Sequence, residues 1–257
     1  MQVEPLHAFS DNIIWALLAS QGPSVWVVDP GDAQPVVDWL SQTQRRLAGI
    51  LITHHHQDHV GGVESLLASP ALWVDPMFQP VLGPEACRPF GVNQVVSEKT
   101  HGQAFRLAGL DGTLMVLEVP GHTLDHLAYL VQASGQPASL FCGDTLFAGG
   151  CGRLLGGTAA QLQNSLVRLT HLAAETQVYC AHEYTLTNLQ FAAEVLPDCP
   201  AVRARLAAVR LDRQAGRCTL PSTIGLECQT NPFLRETDLE AFAALRRAKD
   251  SFRPASR

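Results

Sequence analysis

The sequence predicts a layered α/β domain followed by a small domain built of helices alone. Three observations lead there. Over the first two-thirds, short runs rich in Val, Ile and Leu alternate with turns and with helical patterns. Beyond His182 the periodicity becomes helical throughout. A chain of 257 residues, 46% hydrophobic and 16% charged, has the length and composition to bury a sizeable core.

The strand-like runs come in the order SVWVVDPG (24–31), LAGILITHH (47–55), LMVLEVPGH (114–122), ASLFCGD (138–144) and TQVYCAHE (176–183). Between them, PVVDWLSQTQRRL (35–47) sets Val36, Val37, Leu40 and Leu47 on one helical face. AQLQNSLVRLTHL (160–172) repeats Leu162, Leu166, Leu169 and Leu172 at spacings of three and four. After His182 three helices are expected: YTLTNLQFAAEVL, AVRARLAAVRLDRQ and TDLEAFAALRRAKDSF. Pro200 stands near the start of the second and Gly216 past its end; Thr237 with Glu240 has the spacing of a capping box at the third. The domain boundary is therefore placed at 182/183.

The bulk numbers narrow the function classes. A net charge of −6 argues against broad binding to a phosphate backbone. The N-terminus lacks a basic segment followed by an apolar run, and no apolar stretch has the length of a membrane span. Seven cysteines without a C-x-x-C pair do not form a disulfide framework, so a reducing cytoplasm is expected. Cys142, Cys180 and the rest read as small buried hydrophobes, and Cys151, in a glycine-rich turn, as the most reactive of them. The tail LRRAKDSFRPASR sets Arg246, Arg247, Lys249, Arg253 and Arg257 against Asp250, a solvated face or a site for an anion.

One stretch demands chemistry. In THHHQDHVGG, His54, His56, Asp58 and His59 crowd the end of a strand-like run, and three further runs end at His122, Asp144 and His182. Strand ends on one edge of a sheet converge, which is where sites are built. Five imidazoles and two carboxylates exceed what one tetrahedral ion needs and suit two ions sharing a water. Along an extended segment His54 and His56 point the same way and can grip one ion, while His55 turns aside; Asp58 and His59, where the chain turns at Gly61 and Gly62, can face a second. His7, His101 and His171 read as ordinary core or surface histidines, and so does His126, four residues beyond His122.

THHHQDHVGG resembles the signature of the metallo-β-lactamase superfamily. DPGD at Asp29, PGHT at Gly121, CGDTLFAGGCGR at Cys142, AHEYTLTNLQFA at Ala181, NPFLR at Asn231 and LRRAKDSF at Leu245 resemble one of its families, the hydroxyacylglutathione hydrolases or glyoxalase II enzymes, along essentially the whole chain. The resemblance implies a four-layered αββα sandwich over residues 1–182 and a helical glutathione-binding domain over 183–257. It implies two divalent ions, zinc first, with iron or manganese compatible. One ion takes His54, His56 and His122; the other takes Asp58, His59 and His182; Asp144 bridges them. Asp29 accepts a proton from a ligand imidazole. Arg153, Tyr184, Asn188, Arg246 and Lys249 fall on the family's glutathione contacts, which turns the basic tail into an anion site. Gln57, Asp125 and Leu155 depart from the family's usual residues.

The implied reaction is hydrolysis of S-(2-hydroxyacyl)glutathione, S-D-lactoylglutathione in particular, to glutathione and D-lactate, the second step of methylglyoxal detoxification. A hydroxide shared by the two ions is the nucleophile, and Asp58 has a further expected role in orienting it. The implied protein is a cytoplasmic monomer whose partner is a small-molecule thioester, without nucleic acid or membrane. A persulfide dioxygenase with one iron, a β-lactam or phosphodiester hydrolase and a metal-bearing scaffold are the rival classes.

Overall fold

Strand β2 (Asn12–Leu18) is buried at every position, which requires cover on both of its faces. It pairs antiparallel with β1 (Gln2–Ala8) and β3 (Ser24–Val28), and the sheet continues in parallel through β4 (Arg46–Leu51), β5 (Val81–Gly83) and β6 (Gln94–Val95), in chain order. The computed structural model describes residues 1–69, 81–107 and 109–254, so Arg257 and the side chain of His101 lie outside the described residues.

The chain forms two compact units, residues 1–118 with 125–143 and residues 119–124 with 144–257. In the first, α1 (Ala33–Thr43), α2 (Gln57–Val60) and α3 (Val63–Leu67) supply Val36, Leu40, Val60, Val63 and Leu66 to a core shared with Ile14, Ala16, Leu18, Val25 and Val27 of the sheet. Asp32 caps α1 through the Gln34 amide. The alternate residues Trp15, Leu17 and Trp26 are buried as well. A short helix α4 (Glu98–His101) precedes three antiparallel strands, β7 (Thr113–Glu118), β8 (Leu127–Gln132) and β9 (Ser139–Gly143). The buried Tyr129 of β8 donates its hydroxyl proton to the carbonyl of Ile52, just past β4, which ties the two sheets together.

The second unit holds the hairpin β10 (Leu146–Phe147) and β11 (Gly150–Cys151) and the antiparallel pair β12 (Gln177–Cys180) and β13 (Ser222–Thr223). Its helices are α5 (Ala159–Thr170), α6 (Thr185–Val195), α7 (Pro200–Gln214), α8 (Ile224–Thr230), α9 (Pro232–Arg235) and α10 (Leu239–Ser251). Helix α5 opens on a capping box, Thr158 with Gln161, and buries Leu162, Leu166 and Leu169. Leu189 of α6 meets Leu206 and Val209 of α7. Phe191, Phe233 and Phe242 form a ring chain at centroid distances of 6.2 and 5.8 Å. No helix among the described residues is long and apolar enough to cross a membrane.

Five expectations need correction. Leu47 belongs to β4, because Gln44 ends α1 in a left-handed conformation. Helix α10 is capped by Asp238, one residue after Thr237, because the Asp238 carboxylate reaches the Ala241 amide. The stretch beyond His182 is not helical alone, since β13 pairs with β12. The strand ends carrying candidate ligands do not share one sheet edge: β4 lies in the six-stranded sheet and β7 and β9 in another. Cys199 and Cys218 are half-buried and Cys228 is exposed, while Cys151, expected to be the reactive one, is buried and its thiol is pushed up to about 11, mainly by desolvation.

Candidate metal centre

Each unit gathers its own set of donor side chains. In the first, the chain leaves β4 extended through His56 and then turns into α2. That places His54 Nε2 and His56 Nδ1 2.9 Å apart. His55 turns away toward Asp125, its Nδ1 3.6 Å from that carboxylate. On α2, His59 Nε2 stands 3.5 Å from Asp58 Oδ2, and the ring centroids of His54 and His59 are 4.1 Å apart. The turn is held from outside: a Cβ on Gly31 would lie 1.9 Å from the Asp58 carbonyl oxygen, so only glycine permits the approach of the 29–31 loop.

Buried polar groups orient these donors. Asp29 Oδ2 accepts from His59 Nδ1 at 3.1 Å, and Asp29 Oδ1 from the Thr53 amide at 2.7 Å. Asn12 donates to Asp58 Oδ2 at 2.9 Å. The fully buried His126 stacks on His54 at 4.6 Å. Asn12 was not singled out in the sequence, and nothing in the sequence ties it to a residue 46 positions away. His126 reads in the sequence as an ordinary histidine, and its spacing from His122 is the available signal.

In the second unit Asp144 follows β9, His122 follows the PG turn after β7, and His182 follows β12. Asp144 offers one carboxylate oxygen to each ring: Oδ2 lies 3.4 Å from His122 Nε2, and Oδ1 lies 3.3 Å from His182 Nε2. All three are buried. His122 Nδ1 donates to the Arg153 carbonyl at 2.8 Å, which leaves Nε2 to face Asp144.

These distances fit cations better than direct hydrogen bonds. Two donors about 2.1 Å from one tetrahedral ion stand roughly 3.4 Å apart. The separations of 3.3, 3.4 and 3.5 Å fall on that edge length, past the N–H···O range of about 2.7–3.2 Å. The 2.9 Å between His54 and His56 suits a right-angled edge, about 3.0 Å for the same bonds. Imidazole and carboxylate are the donor types that divalent first-row ions take. A carboxylate with an oxygen toward each of two imidazoles is shaped to span two ions.

The anion-side candidates all fall in the second unit. Tyr184 is exposed and stacks on His182, centroids 4.7 Å apart and planes 6° from parallel. Arg153 is exposed, its Nε 3.6 Å from Asp250. Lys249 Nζ sits over the Phe191 and Phe252 rings at 5.7 and 5.3 Å. Burial first, then the charges of Arg246 and Arg153, pull its ammonium down to about 8. Arg246 is buried, donating to the carbonyls of Cys151 and Gly152 and to Asp250. Asn188 is buried and donates to the Ala148 carbonyl. Leu155 is exposed.

Residues 14–182 match the family model of the metallo-β-lactamase superfamily. Similar solved structures include ETHE1 from Myxococcus xanthus, 24% identical with TM-score 0.68 over 99% of this chain and 93% of that one, a likeness of fold. TTHA1623, solved in a di-iron-bound form, is 26% identical with TM-score 0.56, over 91% of this chain and all of that one. Fold and donor set thus define a metallohydrolase of that superfamily. Residues 183–252 match the hydroxyacylglutathione hydrolase C-terminus. The hydroxyacylglutathione hydrolases of Chromohalobacter salexigens and Cupriavidus metallidurans are each 44% identical over 98% of this chain and their own full length. The chain belongs to the hydroxyacylglutathione hydrolase family.

Proposed function

We propose that the protein hydrolyses the thioester of S-(2-hydroxyacyl)glutathione, S-D-lactoylglutathione in particular, to glutathione and D-lactate, completing methylglyoxal detoxification. Family membership over the full chain supports the reaction class. The observation that carries the metal reading is Asp144, with an oxygen toward each of two buried imidazoles. We assign His54, His56 and His122 to one ion, Asp58, His59 and His182 to the other, and Asp144 to both. Zinc is the first ion to test, and iron and manganese suit the same donors.

Two bound divalent ions supply a water whose pKa falls from about 15.7 toward about 7, and an electrophile for the thioester carbonyl. The chain's own groups do the rest. Asp58, held by Asn12, orients the incoming nucleophile. The leaving thiolate, with a pKa of about 8.5, departs without a general acid, in keeping with a donor-rich site. Tyr184 gives the glutathione moiety a flat wall, while Arg153 and Lys249 attract its carboxylates. Arg246 and Asn188, engaged with backbone carbonyls, shape that surface from beneath. We assign residues 1–182 to the catalytic domain and 183–257 to the glutathione-binding domain. A net charge of −6 favours a small-molecule substrate over nucleic acid, and we place the protein in the cytoplasm, away from membranes, as a monomer.

Elemental analysis of the protein purified without added metal, paired with thioester-hydrolysis and oxygen-uptake assays, tests the reading. Two ions with hydrolysis support it; one iron with oxygen consumption points to a dioxygenase, and neither activity to a scaffold. Lys249 adds a pH signature. It is charged below about 8 and neutral above, so KM for a glutathione thioester is flat below that pH, rises through it and levels off toward the value of a variant without the charge. The Lys249→Ala variant has a raised KM with no inflection there. An uncharged thioester shows neither effect; identical pH profiles for both substrates would remove Lys249 from the site.

A further inference from the structure

We propose that the Thr53 hydroxyl is a relay through which one buried carboxylate, Asp29, fixes the ring tautomer of an imidazole in each of the two cation sites. The inference rests on the metal assignment above and concerns a residue given no role there. Thr53 Oγ1 lies 2.7 Å from Asp29 Oδ2. A carboxylate only accepts, so the single hydroxyl proton of Thr53 is committed to Asp29.

Thr53 Oγ1 is also 3.0 Å from His54 Nδ1. With its proton spent, the oxygen can only accept there, so His54 carries its proton on Nδ1 and presents a lone pair on Nε2. His59 Nδ1, 3.1 Å from the same Asp29 Oδ2, is fixed the same way. The two released Nε2 atoms are those that face His56 and Asp58. His54 is assigned to one ion and His59 to the other, so a single carboxylate prepares a ligand of each, directly for His59 and through Thr53 for His54.

The surroundings hold the relay rigid. Thr53, His54 and His59 are fully buried and Asp29 nearly so, which strengthens each bond in the chain. The Thr53 amide anchors the far oxygen of Asp29. Gly143 presses on the hydroxyl so closely that a Cβ there would lie 2.3 Å from Oγ1. Thr53 is thus a positioning residue acting through His54.

The test compares Thr53→Ser, Thr53→Ala and Asp29→Asn with the parent protein, each loaded with zinc and titrated with a chelator. The melting temperature of each metal-free protein is measured in parallel. The relay requires that Thr53→Ala release one of two zinc ions at roughly 10- to 100-fold lower chelator concentration, the other being unchanged. Thr53→Ser, which differs from Thr53→Ala by the hydroxyl alone, holds both as the parent does, and Asp29→Asn weakens both. The proposal is overturned if the serine and alanine variants bind alike, or if Thr53→Ala loosens both ions equally in step with its melting temperature. A parent protein that never holds two zinc ions overturns the metal assignment and the relay together. A parent that holds two, with Thr53→Ala unchanged, removes the relay alone.

Discussion

Replacing Asp144 by alanine lowers thioester hydrolysis by roughly a thousandfold or more, equivalent to about 4 kcal/mol of lost transition-state stabilisation, and lowers the metal content of the purified protein. The size follows from its position. Asp144 presents an oxygen to His122 and an oxygen to His182, so under the proposed assignment one truncation takes a donor from both ions. Steady-state kinetics and elemental analysis on the same preparation check the two halves together. Circular dichroism guards against simple unfolding. Full activity with unchanged metal content in that variant would refute the bridging role.

Glu227→Ala lowers stability by about 3–5 kcal/mol, the range for breaking a buried ion pair from one side. Glu227 is fully buried and faces Arg205 at 2.6 Å. It also accepts from the Ser222 hydroxyl, the Gly149 amide and the Asn231 amide group. Asn231 in turn donates to the carbonyls of Phe147 and Gly150. Truncation leaves the Arg205 guanidinium buried without its counter-charge and unties the β10–β11 hairpin, which lies between Asp144 and Arg153 in the chain. Urea denaturation of the metal-free protein measures the loss, and Glu227→Gln, which keeps acceptor and volume, loses less. A change under about 1 kcal/mol would show that the pair is not energetically buried.

The sequence carried the donor residues plainly and their supports hardly at all. H-x-H-x-D-H is legible because its spacing is local, and the runs ending at His122, Asp144 and His182 are legible because short, nearly continuous apolar segments stop there. Asn12, Thr53 and Glu227 act across gaps of 46, 24 and 78 residues, which no local pattern encodes. The N-terminal hairpin escaped for a different reason. Strand β2, NIIWALL, is buried on both faces and shows no alternation, and β1 carries Pro5 and the charged Glu4. The sequence placed Arg246 and Lys249 together as charges on one helix. Packing separates them: one guanidinium is locked onto carbonyls and the neighbouring ammonium is half open, a difference of burial that composition does not contain.

Arg246 ties the far end of the chain to the chemistry. Its guanidinium clasps the Cys151 and Gly152 carbonyls, and the next carbonyl along, that of Arg153, is the one that receives the His122 ring proton. Under the proposed metal assignment the terminal helix is a strut for the His122 side of the cation site, beyond its proposed part in gripping substrate. A protein clipped ahead of Leu239 is expected to leak its ions during dialysis faster than intact protein, a defect that surplus substrate does not repair and that atomic absorption on the dialysed samples records.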